Sequence, residues 1–433
     1  MKKIVVIGGG FAGFNFVKNI KNKYYHITLV DKNNYIFFPP LLYQVATSFL
    51  EPSSISYPFR KMLRKKSNIH FKLGEILRIE PERKQIVLTT GELDYDYLIL
   101  ATGTETNYFG IESVRKKAIP MKNVNDALEM RNYLLSQLER ATIFTDNLEV
   151  LRKKLTIVIA GGGPTGVEIS GMLAEHISIF RKDYPEFNGI NLQSSIYLVD
   201  GAAQLLSPMS KKSQENTLKA LEKMGVKVIL NAQVLNYKND KVILSNGQII
   251  ETENLIWTAG VVCQVFTGLP DNCYGRGKRL LTDMYNKVEG VQDIYAIGDT
   301  CIQTTDPNFP SGHPQVAQVA LQQGKTLAQN LDNLLKKRPL ISFRYKDKGS
   351  MAIISRNKAV VDLPSGIHFK GTIAWLIWLF IHLMSLVQFR NRITTLYNWI
   401  IAYFTKDQAL RMIIRPQHEK GSSYLSKNEI ENI

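Results

Sequence analysis

The chain has 433 residues, of which 45% are hydrophobic and 21% are charged, so its composition is that of a folded protein and excludes a disordered one. Its length is sufficient for two or three domains. The formal net charge of +16 indicates an anionic partner. No nucleic-acid-binding motif is found, and the last quarter carries most of the excess charge, so we expect a membrane surface and no nucleic acid.

The N-terminus reads MKKIVVIGGGFAGFNF, two lysines followed by apolar residues, as in a signal peptide. A signal peptide has no need of the closely spaced glycines, so we expect an unprocessed, cytoplasmic chain. The cysteines, Cys263, Cys273 and Cys301, lack the spacing of a metal site. Free thiols in a reducing compartment and no bound metal are therefore expected.

The first functional motif joins two predicted strands. Residues 3–7 (KIVVI) form an apolar run typical of a buried parallel strand, residues 8–13 (GGGFAG) follow, and a helix is predicted to about Lys21. Residues 26–31 (HITLVD) form the second strand and end in an acid. This order of strand, GxGxxG, helix, strand and acid predicts a dinucleotide-binding domain.

Each residue of this motif has its own expected task. Gly8 allows the tight turn, Gly10 lets the backbone approach a pyrophosphate, and Gly13 lets the helix pack on the strand. The helix N-terminus offers unpaired N–H groups and partial positive charge to the phosphates. Asp31 would accept a hydrogen bond from a ribose hydroxyl.

The motif then recurs. Residues 155–175 (LTIVIAGGGPTGVEISGMLAE) repeat the strand, the GxGxxG loop and the helix, and residues 195–203 (SSIYLVDGA) supply the later strand with its acid, Asp200. Two such motifs predict two nucleotides in one chain and electron transfer between them. Asp200 favours NADH over NADPH, because an acid repels a 2′-phosphate and neither Gly201 nor Ala202 offers a cation to receive one.

Three further apolar strands end where the chain must approach a ligand: residues 95–104 (YDYLILATGT), 254–261 (NLIWTAGV) and 291–300 (VQDIYAIGDT). With the two glycine motifs, they resemble the flavoprotein disulfide reductase-like superfamily. That resemblance implies FAD at the first motif and NAD(P)H at the second. It also implies that Gly298 and Asp299 contact the flavin's ribityl or phosphate region.

The C-terminal region has the character of a membrane anchor. Residues 371–389 (GTIAWLIWLFIHLMSLVQF) form a run without Asp, Glu, Lys or Arg. The length of this run is only just sufficient for a transmembrane helix. His382, Ser385 and Gln388 give this segment a polar edge, and the stretch to Arg415 continues as a basic amphipathic pattern. We expect residues 371–415 to lie on a membrane surface; a true span and a helix buried in a dimer interface are the alternatives.

Several segments resemble the type II NADH dehydrogenases, also called alternative NADH:quinone oxidoreductases. They are PLLYQVAT, GGGPTGVE, WTAGV, AIGDT, HPQVAQVALQQG and the FRNR…NW…YFT run near the C-terminus. The resemblance runs essentially from end to end. It implies hydride transfer from NADH to FAD, then electron transfer to a membrane quinone without proton pumping. It further implies that Glu168 sits near the nicotinamide and flavin, and that Gln318 and Gln322 line the quinone side of the flavin.

The helix that carries these glutamines is predicted to begin at Pro314, which suits the first helical position. Gln318 and Gln322 then share one face. The packed stripe would consist of Val316, Val319, Leu327 and Leu331. The helix N-terminus would stabilise negative charge on the reduced flavin.

Two other enzyme classes stay open. A soluble NADH-dependent reductase of ferredoxin or rubredoxin shares both glycine motifs but has no use for the Trp-rich basic C-terminus. A sulfide:quinone oxidoreductase requires flavin-side cysteines, for which Cys263 and Cys301 are the candidates. The absence of any CxxC or Cys-x4-Cys pair argues against a disulfide reductase.

We predict an α/β fold with two Rossmann-like dinucleotide-binding domains and a C-terminal membrane-association region. The FAD domain is placed at 1–115 and 270–335, the NADH domain with a crossover helix at 116–269, and the anchoring region at 336–433. A homodimer and the cytoplasmic face of the inner membrane are expected. The predicted FAD contacts are Gly8, Gly10, Ala12, Gly13, Asp31, Ala101, Thr102, Gly103, Gly298, Asp299 and Ala317. The predicted NADH contacts are Gly161, Gly163, Thr165, Gly166, Asp200, Ala259 and Gly260.

Overall fold

The computed structural model describes residues 1–21, 23–189, 195–405 and 410–414, without the side chains of 177–182. The helices are α1 Phe11–Asn19, α2 Leu42–Ala46, α3 Pro52–Ile55, α4 Phe59–Leu63, α5 Glu112–Lys117, α6 Val124–Ala141, α7 Leu148–Leu155, α8 Pro164–Asp183, α9 Lys211–Lys223, α10 Ala317–Leu335, α11 Gly371–Ser385 and α12 Phe389–Thr405.

The strands are β1 Lys2–Ile7, β2 Tyr25–Asp31, β3 Tyr35–Phe37, β4 Ser56–Pro58, β5 Ile69–Leu73, β6 Ile76–Glu80, β7 Gln85–Leu88, β8 Gly91–Asp94, β9 Tyr97–Leu100, β10 Glu105–Thr106, β11 Ile119–Pro120, β12 Ile157–Ala160, β13 Ile196–Val199, β14 Lys227–Ile229, β15 Val234–Lys238, β16 Lys241–Leu244, β17 Ile249–Glu251, β18 Asn254–Trp257, β19 Val261–Val262, β20 Leu280–Leu281, β21 Ile294–Ala296, β22 Cys301–Ile302, β23 Ser350–Ser355, β24 Lys358–Asp362 and β25 His368–Lys370.

The chain folds into two compact units. The first comprises Met1–Phe37, Ser56–Glu105 and Val261–Lys348; the second comprises Phe38–Ile55, Thr106–Gly260 and Gly349–Ile433. These units divide the chain at other residues than the predicted domains, whose boundaries stay a prediction. The C-terminal region belongs to the same compact unit as the second glycine motif.

The first unit is built on a parallel sheet with strand order β21-β9-β1-β2-β5. Residues 4–7 of its central strand β1 are apolar and buried, as expected for a strand covered on both faces. Helices α1 and α10 contact each other in this unit. They approach closely because Gly324 has no side chain; a Cβ there would overlap the backbone carbonyl of Ala12. The antiparallel strands β6, β7 and β8 complete the apolar core on another side.

The second unit repeats this plan. Its parallel sheet has the order β11-β18-β12-β13-β14, with α8 following the central strand β12. The crossover helix α6 begins with a capping box between Asn123 and Asp126, which fixes its first turn. An antiparallel sheet of β15, β16 and β17 adjoins the core.

The C-terminal part of the second unit starts with the antiparallel sheet β23-β24-β25. Helix α8 packs closely on β23 because residue 171 is glycine; a Cβ at Gly171 would overlap the carbonyl of Ile354. Asp362 at the end of β24 accepts hydrogen bonds from Ser210 and Ser213 at the start of α9. Helices α11 and α12 follow. Among the described residues, no helix is long and apolar enough to cross a membrane.

Candidate functional site

The first glycine motif lies where the strand order of the first sheet reverses. The loop after β1 and the loop after β9 are neighbours there, since Ala101 N donates to Ile7 O at 2.8 Å. Open α/β sheets bind ligands at the carboxyl ends of their strands at such a point. The predicted cofactor residues at 8–13 and 101–103 are thus brought together.

Three glycines shape this loop. Gly8 has φ +98°, a conformation that favours glycine, and a Cβ there would overlap the Ala101 carbonyl. A Cβ at Gly13 would overlap the Gly8 carbonyl, so this glycine permits α1 to pack against the loop. Nothing lies within 4 Å of a Cβ built at Gly10. The loop therefore packs closely against the rest of the protein at Gly8 and Gly13. At Gly10, at the start of α1, its backbone is open to a ligand.

Asp31 is half-buried at the end of β2. Its carboxylate accepts hydrogen bonds from Gly9 N at 2.6 Å and from Asn33 N at 2.7 Å. Burial raises the pKa of Asp31 above its ordinary value, and these two amides oppose the shift. The acid therefore holds the glycine loop, and its contact with a ribose stays a prediction.

Thr300 is a residue that the sequence reasoning missed. Its hydroxyl accepts a hydrogen bond from Gly103 N at 2.8 Å and lies 3.3 Å from the hydroxyl of Thr102. It thereby joins the loop after β9 to the turn after β21, which carries Gly298 and Asp299. The sequence predicts a cofactor contact from Gly298 and Asp299 of the GDT triplet, and Thr300 is its third residue.

Gln323 is a second such residue. It is 1% exposed, and its Oε1 accepts a hydrogen bond from Gly298 N at 2.7 Å. A Cβ built at Gly298 would lie 2.9 Å from the Cβ of Ala12. Gln323 lies off the face shared by Gln318 and Gln322, so the spacing of those two glutamines does not indicate it.

The second glycine motif has the same geometry within its own unit. Gly161 has φ +113°, and a Cβ there would lie 2.7 Å from Thr258. A Cβ at Gly166 would overlap the Gly161 carbonyl, while nothing lies within 4 Å of one at Gly163. Helix α8 begins at Pro164, so Thr165 and Gly166 form its first turn.

Asp200 repeats the role of Asp31. Its carboxylate accepts hydrogen bonds from Gly162 N and, at 2.6 Å, from Ala202 N. Gly260, after β18, is crowded by the ring of Phe109, which a Cβ would approach to 2.6 Å. Ala259 precedes it in the loop that faces Gly161. The predicted NADH contacts are thus assembled at one edge of the second sheet.

Glu168 lies in α8, one turn beyond that loop. It is 8% exposed, and burial raises the pKa of its carboxyl well above the ordinary value of 4.5. The backbone amide of Ile353 opposes this shift only in part. Burial therefore favours the protonated form of the Glu168 carboxyl.

A buried polar chain lies beside Glu168 in the second unit. Trp399 Nε1 of α12 donates to Gln44 Oε1 at 2.7 Å, and Gln44 Nε2 donates to the Tyr43 hydroxyl at 2.8 Å. Tyr43 is fully enclosed, and its pKa is raised by burial and by the nearby Glu168. The YQ pair of the PLLYQVAT segment thus joins α12 to the surroundings of Glu168.

Gln318 and Gln322 share one face of α10, as predicted, and both bind the segment that ends the first unit. Gln318 Oε1 accepts from Lys348 N at 3.0 Å and from the Tyr345 hydroxyl at 3.3 Å. Gln322 forms two hydrogen bonds with the backbone of Lys346, at 2.9 and 3.0 Å. Holding the chain after Phe343 in place is therefore one role of both amides.

The start of α10 differs from the prediction. The helix begins at Ala317 with Val316 as its N-cap, so Pro314 is not the first helical residue. Residues 313–316 continue the loop, in which Gln315 donates to the Asp299 carbonyl at 3.2 Å. Val319, Leu327 and Leu331 are buried as predicted, but Val316 is 39% exposed and stands outside the stripe.

All three cysteines are buried, and none forms a disulfide. Cys263 Sγ donates to the Asp299 carbonyl at 3.1 Å, and burial raises the pKa of Cys301 to about 11. A thiol with such a pKa is a poor nucleophile at neutral pH. No cluster of possible metal ligands occurs among the described residues.

Two glycine motifs of this geometry in one chain define a two-dinucleotide oxidoreductase fold. The family model of pyridine nucleotide-disulphide oxidoreductases matches residues 2–324, and that of the NDH2 C-terminal domain matches residues 348–406. The type II NADH:quinone oxidoreductase NdhA of Mycobacterium tuberculosis is 34% identical over 93% of this chain and 87% of that protein. The chain belongs to the type II NADH:quinone oxidoreductase family.

Solved structures agree with this assignment. NDH2 of Plasmodium falciparum in complex with NADH superposes with a TM-score of 0.85 at 25% identity, over 96% of this chain and 100% of that one. The sulfide:quinone oxidoreductase of Aquifex aeolicus gives a TM-score of 0.71 at 19% identity, over 94% and 96% of the two chains, which shows a shared fold alone. The predicted family and the predicted fold class are confirmed.

Proposed function

We propose that the protein oxidises NADH and reduces a membrane quinone through bound FAD, without pumping protons. The observation that carries this function is the pair of matching glycine loops, each at the reversal point of its own parallel sheet and each tied to an acid. The family to which the chain belongs supports the same activity.

The first unit fits FAD. A pyrophosphate requires an open backbone approach, and Gly10 at the N-terminus of α1 provides it. We assign Gly8, Gly10, Ala12, Gly13 and Asp31 to the adenosine diphosphate part. The remaining contacts come from the loops after β9 and β21 and from the start of α10: Ala101, Thr102, Gly103, Gly298, Asp299 and Ala317. When bound, FAD supplies two-electron chemistry between hydride donor and quinone.

The second unit fits NADH. Gly163 is open at the start of α8, and Asp200 offers a carboxylate rather than a cation at the ribose position. We assign Gly161, Gly163, Thr165, Gly166, Asp200, Ala259 and Gly260 to this dinucleotide. A 2′-phosphate would meet the negative charge of Asp200, which supports NADH over NADPH.

Glu168 is proposed as a proton-holding residue for quinone reduction, which consumes two protons. Burial favours its protonated carboxyl, which can donate a proton from an Oε atom to the quinone and then take one up again from solvent. Gln318 and Gln322 are proposed to orient the quinone. They bring hydrogen-bonding groups without a titrating or redox-active function, and the chain 345–348 holds them in place.

We also propose that α11 and α12 bind the protein to a membrane surface. Each helix carries a stripe of exposed apolar side chains: Ile373, Leu376, Phe380 and Met384 in α11, and Phe389, Ile393, Leu396, Ile400 and Phe404 in α12. Such stripes suit an interfacial helix. The cytoplasmic face of the inner membrane is proposed because NADH is produced on that side. Residues 406–409 and 415, the rest of the predicted anchor, lie outside the described residues.

A homodimer is a second proposal for the same region, because a second copy could cover part of these stripes. Analytical ultracentrifugation of the solubilised protein, with and without α11 and α12, tests it. Retention of the same oligomeric state after their removal would contradict a dimer built on these helices.

The activity is tested with the purified FAD-loaded protein. NADH oxidation should require an added quinone and should be slower with NADPH. Ubiquinone and menaquinone analogues are assayed in parallel, with ferredoxin and sulfide as the substrates of the two competing classes. Turnover with ferredoxin and none with quinone would refute the proposed function.

A further inference from the structure

A buried histidine–aspartate pair lies in the first unit, in the loop between β22 and α10. His313 Nε2 is 2.9 Å from Asp306 Oδ2, and the two residues are 1% and 0% exposed. The pair precedes the helix that carries Gln318 and Gln322. A buried carboxylate costs free energy unless it is hydrogen-bonded, so the partners of Asp306 identify what the pair holds in place.

Asp306 receives hydrogen bonds from three parts of the unit. Its Oδ2 accepts from His313 and, at 3.0 Å, from Tyr345 N, while its Oδ1 accepts from Asn308 N at 3.1 Å. Burial alone would raise the pKa of Asp306, but these hydrogen bonds lower it below the ordinary value. The ionised carboxylate is favoured, and since it can only accept, His313 Nε2 carries the hydrogen. Asp306 thus ties the loop before α10 to residue 345.

His313 is itself fixed at both its ring and its backbone. The ring lies among Phe309, Phe343 and Tyr345, at centroid distances of 5.3, 5.1 and 6.0 Å. The backbone carbonyl accepts hydrogen bonds from both terminal nitrogens of Arg279, each at 3.1 Å. The imidazole is therefore held with its Nε2 on the carboxylate.

The segment 345–348 connects this pair to α10. Lys346 makes two backbone hydrogen bonds with the amide of Gln322, and Lys348 N donates to Gln318 Oε1. Because Asp306 holds the beginning of this segment independently of the glutamines, the segment can in turn set the orientation of both amides.

We propose that His313 and Asp306 are positioning residues for quinone reduction. The pair anchors the segment 345–348, and the segment aims the amides of Gln318 and Gln322 at the quinone. The inference rests on the proposed function, since it requires a quinone at these glutamines. Misplacing a positioning group by about 1 Å can slow a reaction by about a hundredfold, so loss of the anchor affects the quinone step.

The test compares His313→Phe with His313→Gln in the FAD-loaded full-length protein, using decylubiquinone and menadione in parallel. Phenylalanine keeps a ring but has no N–H for Asp306, whereas glutamine keeps an N–H donor. In His313→Phe, kcat/KM for quinone should fall by about tenfold or more. Flavin reduction by NADH, followed by stopped-flow absorbance, and the KM for NADH should be nearly unchanged. His313→Gln should recover most of the quinone activity.

His70→Phe, the same substitution at an exposed position of β5 in the same unit, is the matched control and should change none of these values. Unchanged quinone kinetics in His313→Phe, with an active wild type, would overturn this inference and leave the proposed function intact. Equal losses in both half-reactions, or a His313→Gln protein as slow as His313→Phe, would also overturn it. A wild type that reduces neither quinone would refute the proposed function, and this inference with it.

Asp306→Asn provides the test if His313→Phe does not fold. The amide keeps the shape of the carboxylate but has one oxygen, so one of the three N–H donors would face its nitrogen. Quinone kcat/KM should fall by a comparable factor, with flavin reduction by NADH nearly unchanged. Wild-type quinone kinetics in Asp306→Asn would overturn the inference.

Discussion

Burial favours the neutral form of two side chains of the second unit, Glu168 and Tyr43. Burial raises the pKa of both groups, and the proximity of Glu168 adds to the shift at Tyr43. A neutral carboxylic acid can donate a proton to a quinone, and the carboxylate that remains must then be reprotonated from solvent. The proposed role of Glu168 depends on that cycle.

Glu168→Gln tests the protonated state. The folded protein binds this proton more tightly than the unfolded chain, so wild-type stability falls as pH rises above 4.5 toward the raised folded-state pKa. The amide variant lacks this proton. Its melting temperature should therefore decrease less than that of wild type between about pH 5 and about pH 8.

Quinone turnover of the same variant should drop by about a hundredfold, the usual contribution of a positioned acid. NADH-to-flavin reduction, followed by stopped-flow absorbance, should change far less. Parallel pH–stability curves for the two proteins would show that Glu168 is ionised in the folded state. Equal losses in both half-reactions would remove it from the quinone step.

Gln318→Glu separates the two tasks proposed for Gln318. The carboxylate keeps an acceptor for Lys348 N and the Tyr345 hydroxyl, so the chain 345–348 stays in place. It loses the amide donor, and quinone reduction should slow by about tenfold or more while flavin reduction by NADH is nearly unchanged. Single-turnover measurements of both half-reactions give this ratio.

Tyr345→Phe is the matched control, because it removes one hydrogen bond to Gln318 Oε1 without changing the amide. It should leave quinone reduction near the wild-type rate. A loss in Tyr345→Phe as large as that in Gln318→Glu would assign Gln318 to holding the chain alone.

At the scale of elements, the first unit depends on how closely α1 and α10 approach. Gly324→Val would place a side chain against the Ala12 carbonyl and, at 3.0 Å, the Phe16 amide. Backbone atoms cannot move aside as side chains can, so the helices must separate. We expect a loss of about 3 kcal/mol or more and weaker FAD retention, measured by thermal melting and flavin fluorescence.

Lys325→Val is the matched control, since it puts the same side chain on the exposed neighbour in α10. It should change the melting temperature little. If the Gly324→Val protein retains FAD and has the melting temperature of wild type, the close contact between α1 and α10 is dispensable.

The elements also show which features the sequence could predict. Both glycine motifs could be predicted from the sequence, because their structural requirements depend on residues within one loop. In the first motif, Gly8 allows the tight turn, Gly10 leaves the backbone open to a ligand, and Gly13 lets the helix pack on the loop. Gln323 and Thr300 could not be predicted, because their partners Gly298 and Gly103 are brought to them by the fold of the unit. The predicted helix start at Pro314 was wrong. Proline suits the first helical position, but two more loop residues precede the helix, which begins at Ala317.

At the scale of the whole molecule, charge and apolar surface coincide in the C-terminal region. Residues 336–433 carry 16 Lys and Arg against 6 Asp and Glu, and the exposed stripes of α11 and α12 lie within them. An apolar stripe inserted at the headgroup level binds lipid by burying apolar surface, and basic residues around it add electrostatic attraction to anionic headgroups. Either contribution alone would give weaker binding.

A double variant, Phe380→Glu with Phe404→Glu, should reduce binding to anionic vesicles by about tenfold or more. These rings are 65% and 78% exposed, and each is worth about 1.5–3 kcal/mol when buried in the interface. Vesicle flotation measures the effect. Leu235→Glu, which alters an exposed residue of β15 outside the stripes, is the matched control and should float with the vesicles as wild type does.

The same variant distinguishes a membrane from a second copy of the chain as the partner of this face. Charged side chains in a dimer contact would give monomers by ultracentrifugation in detergent, with vesicle binding retained. Charged side chains in a membrane contact would give the reverse: lost flotation, an unchanged sedimentation coefficient, and normal reduction of a water-soluble quinone. That last activity also shows that the nucleotide sites survive the substitutions, so a lost vesicle contact is not a folding defect.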